Sequence, residues 1–171
     1  MKKILITYGS ITSAVIATLM IISTVLSSKI GYDNSEIVGY VSLVLSFSII
    51  YFAVIAYYNN NPEAKVTFLK SLTIGLLITV IASVAYVIVW LILYYTVFPD
   101  FMDKYAAHML EKLHKSGAAE SEINKQIAMF KEYKELYKNP LYNAAFTFIE
   151  PLPVGVLISL ISAVVMQFRK K

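Results

Sequence analysis

The sequence predicts an all-α integral membrane protein with four transmembrane helices and an amphipathic helical hairpin between the third and the fourth. The 171 residues are 58% hydrophobic and only 15% charged, whereas about a quarter of the residues in a soluble domain are charged. The apolar residues form long stretches, each able to cross the ~30 Å hydrocarbon core of a bilayer. The polar residues concentrate in one stretch, 99–139, that has helical periodicity. We therefore predict a single membrane domain, 1–171.

The clearest predicted span is the third, 71–98, which contains no charged side chain. At about 1.5 Å per residue it can cross the bilayer with some tilt. Small side chains recur every four residues along one face, at Ser71, Gly75, Thr79 and Ser83. Such a face lets a neighbouring helix approach closely, whereas Trp90 at the other end is typical of the headgroup level.

The first two spans are predicted over 4–27 and 37–58, separated by a short polar loop. The start of the chain is similar to a signal peptide, but its apolar run exceeds the ~7–15 residues of a secretory apolar region. The first span is therefore expected to be retained. The second span is expected to end at an Asn-rich turn before Pro62, because proline cannot continue the backbone hydrogen bonds of a helix.

The fourth span, 142–168, contains the one candidate ligand-binding site, formed by Glu150 with Pro151 and Pro153. Neither proline has a backbone N–H, so the helix should break or bend there. An ionisable residue at a broken membrane helix is typical of a substrate or ion site. The competing interpretation places Glu150 near the outer interface, where a carboxylate stays hydrated at little cost. We favour this structural interpretation, under which Glu150→Gln is nearly silent.

The polar stretch predicts a helical hairpin over about 100–138, outside the membrane. Its first helix has an apolar stripe that includes Met102, Met109 and Leu113, and its second has one that includes Ile123 and Phe130. A glycine, Gly117, separates the two. We expect the stripes to pack against each other.

No catalytic residue, metal site or cofactor is predicted, and we do not expect an enzyme. The chain contains no cysteine and no G-x-S-x-G, H-E-x-x-H or glycine-rich phosphate motif. His108, Glu111 and His114 have a suggestive spacing. However, two histidines six residues apart lie about 120° apart around a helix and do not share a face.

Positive charges near the ends of the predicted spans indicate orientation. One side has Glu63 as its acid and these cations: Lys2, Lys3, Lys65, Lys70, Arg169, Lys170 and Lys171. Because Lys and Arg are enriched in cytoplasmic segments, both termini are predicted to be cytoplasmic. The net charge of +4 is then an orientation signal, and no nucleic-acid partner is expected.

Several short segments resemble one known family over nearly the full length. They are Met1-Lys2-Lys3 with Tyr8-Gly9, Glu36 to Ser46, Lys70 to Ser83, Phe98-Pro99-Asp100-Phe101, Tyr137-Lys138-Asn139-Pro140, and Glu150-Pro151-Leu152-Pro153-Val154-Gly155. On these segments the chain resembles the domain of unknown function 4199 family, small multi-pass membrane proteins found mainly in Bacteroidota. The resemblance implies a bacterial inner membrane and a periplasmic hairpin. It implies no activity, ligand or catalytic residue.

Two functional hypotheses follow from these observations. The leading one is a non-enzymatic interaction or structural/assembly component of the inner membrane. Besides the lipid bilayer, its partners would be a protein that contacts the hairpin or further copies of the chain in a homo-oligomer. The alternative is a small transporter or channel component with a site near the Pro-broken fourth helix. A polar cavity that reaches into the bundle favours the alternative, whereas a dry bundle with an apolar hairpin surface favours the first.

The orientation leads to a testable prediction. Single cysteines replacing Lys112 or Lys134 should react in intact cells with a membrane-impermeant thiol reagent, and cysteines replacing Lys2 or Lys171 should react only after lysis. The absence of natural cysteine makes the labelling specific. Labelled termini with a protected hairpin would reverse the predicted topology.

Overall fold

The computed structural model describes residues 1–169, except for the side chains of 27–30 and 32, so Lys170 and Lys171 of the predicted cytoplasmic cluster lie outside it. The elements are α1 (Lys2–Ile30), α2 (Tyr32–Phe47), α3 (Ile49–Asn59), α4 (Phe68–Ile92), a π-helical turn (Leu93–Val97), α5 (Phe101–Lys115), α6 (Glu120–Tyr137), α7 (Pro140–Ile149) and α8 (Leu152–Arg169). Four segments are long and apolar enough to cross a membrane: Lys2–Leu26, Asp33–Asn59, Phe68–Val97 and Pro140–Arg169. The predicted all-helical fold with four spans is confirmed.

The most extensive helix–helix contact among the described residues joins α4 and α8. A Cβ built on Gly75 would lie 2.6 Å from Ser159 Oγ, and one on Gly155 would overlap the methyl group of Thr79. The hydroxyls of Thr79 and Ser159 lie 3.4 Å apart. Each also donates to a carbonyl of its own helix, at 3.0 Å for Gly75 and 2.7 Å for Gly155. The small-residue stripes therefore form a helix–helix contact, as their spacing predicted.

A closed apolar core fills the end of the bundle where the termini lie. Phe47, Ile50, Ile74 and Ile78 are fully buried in it. Towards the terminal end, the hydroxyl of Tyr58 lies 3.1 Å from Ser71 Oγ. This end of the bundle contains tightly packed side chains.

The first two spans differ from the sequence prediction at their boundaries. The expected loop over 28–36 is almost entirely helical, because the chain turns at Gly31 with φ of +82° and α2 begins at Tyr32. Asp33 then lies in the first turn of α2, where an acid is favoured by the helix dipole. The second span also divides at Ser48, whose hydroxyl donates to the carbonyl of Val44 at 2.7 Å, a bond that often bends helices.

The fourth span is broken where its prolines predicted. Helix α7 ends at Ile149 and α8 begins at Leu152. Asn139 caps α7 by accepting a hydrogen bond from the backbone N–H of Leu141 at 2.9 Å, and Pro140 occupies the first helical position, where its missing N–H costs nothing.

Helices α5 and α6 run antiparallel at the end of the bundle opposite the termini. The rings of Tyr105 and Phe130 are 6.1 Å apart, and Lys134 Nζ lies 2.5 Å from Asp103 Oδ1. Helix α5 also contacts the start of α2, because Lys112 Nζ lies 2.9 Å from Asp33 Oδ1. The Asp33 carboxylate raises the pKa of Lys112, so this ammonium stays charged.

The α4–α8 contact generates a prediction. Gly75→Ala places a methyl group against Ser159 and Ile50, and such overpacking typically costs about 1–3 kcal/mol. We expect a lower free energy of unfolding in a denaturing-detergent titration of the purified protein.

The matched control is Gly39→Ala, because a Cβ at Gly39 meets no atom within 4 Å. Alanine is the better helix former, so this control should keep or raise stability. Equal free energies of unfolding for Gly75→Ala and Gly39→Ala would show that α4 and α8 can move apart to accommodate the methyl group without a loss of stability.

Candidate ligand-binding site

A cavity of about 390 Å³ lies among α1, α2, α4, α5, α6 and α7, at the end of the bundle nearest α5. This volume is within the ~300–1,000 Å³ that is typical of small-molecule pockets. Its inner end is lined by Ile16, Met20 and Leu43. Below these residues the buried core with Phe47 and Ile50 begins. The cavity is therefore a pocket with a closed inner end.

Two carboxylates line the cavity, Glu36 of α2 and Glu150 at the break between α7 and α8. Both side chains remain accessible to solvent. Tyr86 of α4 also lines the cavity. Thr147 lies three residues before Glu150, so the two share one face of the chain and both contribute to the lining.

A buried asparagine fixes one wall of the cavity. Asn143 is fully buried, and its Oδ1 accepts hydrogen bonds from Trp90 Nε1 at 3.0 Å and from Thr147 Oγ1 at 3.1 Å. Trp90 and Thr147 both line the cavity. The Nδ2 of Asn143 has no hydrogen-bond partner among the residues that the structure describes. The indole ring is thus held in place by a contact between α4 and α7.

Aromatic side chains attach α5 and α6 to the spans. The ring of Phe101 lies 5.0 Å from Trp90, nearly perpendicular to it, and stacks on Tyr105 at 6.1 Å. The hydroxyl of Tyr95 donates to the carbonyl of Tyr137 at 2.7 Å. Phe101, Tyr105 and Tyr137 all line the cavity. Burial raises the pKa of both Tyr105 and Tyr137, so these phenols stay neutral.

Of the three residues proposed from sequence, Glu150 lines the cavity. Pro151 is fully buried and Pro153 is exposed. Their contribution is the missing backbone N–H groups at the break that carries Glu150. Glu36 escaped prediction because its position indicated a loop, and Trp90 because an aromatic residue near a span end is typical of a headgroup belt. Tyr86, in the middle of its span, carries no signal in the local sequence.

The histidines of α5 do not contribute to the cavity lining. His108 Nε2 lies 3.4 Å from Asp33 Oδ1, whereas Glu111 pairs with Lys115 at 2.6 Å. The ammonium of Lys115 holds the pKa of Glu111 below its usual value. Within residues 1–169, with the side chains of 27–30 and 32 left aside, no group of three or more His, Cys, Asp or Glu could hold a metal ion.

The Trp90–Asn143 contact can be tested directly, because Trp90 is the sole tryptophan of the chain. Asn143→Ala leaves the indole N–H without its acceptor, and an unsatisfied buried polar group costs about 1–3 kcal/mol. We expect a lower stability and a shift of the tryptophan emission maximum. Asn124→Ala, an exposed position on α6, is the control and should change neither. An unchanged Asn143→Ala emission spectrum would contradict the contact.

Comparisons with known proteins give one match. None of the proteins of curated function and none of the solved structures matches the chain. Residues 7–167 match a family described as protein of unknown function (DUF4199). Because the match covers nearly the whole chain, this membrane protein belongs to the DUF4199 family.

Proposed function

We propose that this protein is a non-enzymatic membrane protein that binds a small molecule in the cavity between its spans. The observation that carries the proposal is a pocket of about 390 Å³ whose lining combines apolar side chains with hydroxyl groups and two carboxylates, and small-molecule sites likewise combine apolar walls with placed polar groups. This function corresponds to the ligand-binding step of the transporter-component hypothesis, without the transport step. The Pro-broken fourth helix contributes Glu150 to the site, as that hypothesis required.

The closed inner end of the cavity supports binding over passage. Ile50, Ile74 and Ile78 are fully buried below the cavity, so a ligand that entered from the α5 side would stop there. A continuous channel needs an open polar path through the bundle. Below the cavity, buried aliphatic side chains pack with small hydroxyl residues, and the hydroxyls of Ser46, Thr79 and Ser159 donate to carbonyls of their own helices. A transport cycle would need this core to open, by a partner or by a change of helix packing.

The polar groups of the lining support a binding role over a catalytic one. The hydroxyl of Thr24 donates to the carbonyl of Met20 at 2.8 Å, and that of Ser35 to the carbonyl of Gly31 at 2.7 Å. A nucleophilic hydroxyl must donate its proton to an adjacent general base, whereas these two hydroxyls donate to backbone carbonyls.

The surface of α5 and α6 gives less support to a protein-docking role. Tyr133 is the exposed large apolar side chain that the structure describes between 100 and 138. Ile123 is buried, and Met102 and Tyr105 line the cavity. Other residues of the predicted stripes, such as Met109, Leu113 and Phe130, are half-buried, whereas a docking surface would require a contiguous exposed apolar patch.

In the proposed orientation the cavity faces the periplasm of a bacterial inner membrane. The support is the excess of Lys and Arg at the opposite end of the bundle, which includes Lys70 and Arg169. Arg169 lies at that end, with Nη1 3.2 Å from the hydroxyl of Tyr51. A periplasmic opening would let the protein sample small molecules that have crossed the outer membrane.

The test is a thermal-stability screen of the full chain in lipid nanodiscs, with a small-molecule set that includes cations, anions and neutral compounds. A ligand at a hundred times its Kd stabilises the folded state by about 2.7 kcal/mol. We expect at least one compound to raise the melting temperature, and Gly39→Leu to abolish this rise. Gly39 lines the cavity, and a Cβ there meets no atom within 4 Å, so a leucine can fill the space without a clash at its Cβ.

The control variant is Val41→Leu, which lies on the same helix with an exposed side chain and does not line the cavity. It should keep the full response to the compound. If no compound stabilises the wild type, or if Gly39→Leu responds like the wild type, the proposed function is wrong.

A further inference from the structure

The charge of the cavity lining is one-sided. Among the described residues that line it, Glu36 and Glu150 are the ionisable side chains apart from tyrosines, and no Lys, Arg or His is present. Both side chains are exposed, so both carboxylates can reach a ligand in the cavity. A positive charge placed between them would interact favourably with both.

The aromatic side chains of the cavity favour the same sign of charge. Trp90 and Tyr86 of α4 and Tyr105 of α5 line it together, and the faces of Trp and Tyr rings attract cations. The hydrogen bond from Trp90 to Asn143 holds the indole in place at 3.0 Å, so this surface is present before a ligand arrives. Sites for quaternary ammonium groups commonly combine such rings.

The inner end of the cavity is apolar. Ile16, Met20 and Leu43 line it, and thioether and aliphatic groups are poor ligands for a metal ion. A hard divalent cation such as Ca²⁺ takes six to eight oxygen ligands and favours carboxylates, carbonyls and water, whereas the oxygens of this lining are two carboxylates and neutral hydroxyl groups among aromatic and aliphatic carbon. A ligand with both a charge and an apolar body fits the lining better than an inorganic ion.

Resting on the proposed function, we propose that the ligand is a small organic cation, an amine or quaternary ammonium with an apolar or aromatic body. Its positive group lies between Glu36 and Glu150, against the rings of Tyr86 and Trp90. Its body extends towards Leu43 and the other apolar residues of the inner end. The juxtaposition of two acids from α2 and the α7–α8 break within one aromatic cavity carries this assignment.

The probe is phenyltrimethylammonium, and the reporter is the fluorescence of Trp90, the sole tryptophan. The full chain in nanodiscs of zwitterionic lipid is titrated with this cation and with benzenesulfonate, an anion of similar size. We expect a saturable change of Trp90 emission with the cation and none with the anion. Glu36→Gln and Glu150→Gln should each weaken binding about tenfold or more, as expected for the loss of a charged partner.

Three controls test whether loss of the carboxylate charge itself causes the weaker binding. Glu63→Gln removes an exposed carboxylate at the opposite end of the bundle and should leave the affinity unchanged. Glu150→Asp keeps the charge and should retain more affinity than Glu150→Gln. Thermal unfolding followed by circular dichroism identifies any variant that fails to fold, and for such a variant the comparison passes to the remaining carboxylate.

The outcomes separate this inference from the proposed function. Equal binding of the cation and the anion, unchanged affinity of both Gln variants, or a stronger response to Ca²⁺ than to the organic cation would each overturn the organic-cation assignment. If a neutral or anionic compound stabilises the wild type but not Gly39→Leu, the cavity is a binding site and only its ligand class is wrong. If no compound binds, both proposals fail.

Discussion

The close contact between α4 and α8 is the constraint on which the rest of the structure depends. Apolar helices in a lipid bilayer gain no hydrophobic free energy by associating, because lipid tails are as apolar as the helices. Van der Waals packing must therefore hold the spans together. Gly75 and Gly155 permit this packing because each faces a hydroxyl side chain of the other helix, Ser159 and Thr79 respectively. Both hydroxyls donate hydrogen bonds to carbonyls of their own helices, so neither is an unpaired polar group in the interface.

The cavity exists because this tight packing ends at the break beside Glu150. Pro151 interrupts the backbone hydrogen bonds, and beyond it α7 contacts α4 through the Trp90–Asn143 hydrogen bond instead of a glycine contact. Larger side chains, such as Tyr86, then separate the helices and line the space between them. The break thus separates a tightly packed half of the bundle from a half with a polar pocket.

The pocket combines rigidity with accessible charge. The aromatic contacts of Phe101 with Trp90 and Tyr105 connect α5 to the spans, whereas the ion pair of Lys112 with Asp33 is exposed and contributes little stability. The position of α5 over the cavity therefore depends mainly on the rings that also line the proposed site. A ligand that contacts these rings would strengthen the packing of α5 against the bundle.

Local composition and spacing alone determined the spans, the small-residue stripes and the break near Pro151. Each is set by residues within a turn or two of one another, so each leaves a pattern in the sequence. The extent of the loop before α2 was missed because a glycine turn at Gly31 and an acid in the first helical turn look like a loop in composition. Only the tertiary structure decided that Glu36, Glu150 and Trp90 line one cavity. These residues come from separate helices, and their meeting depends on how the helices rotate and pack, which no local pattern records.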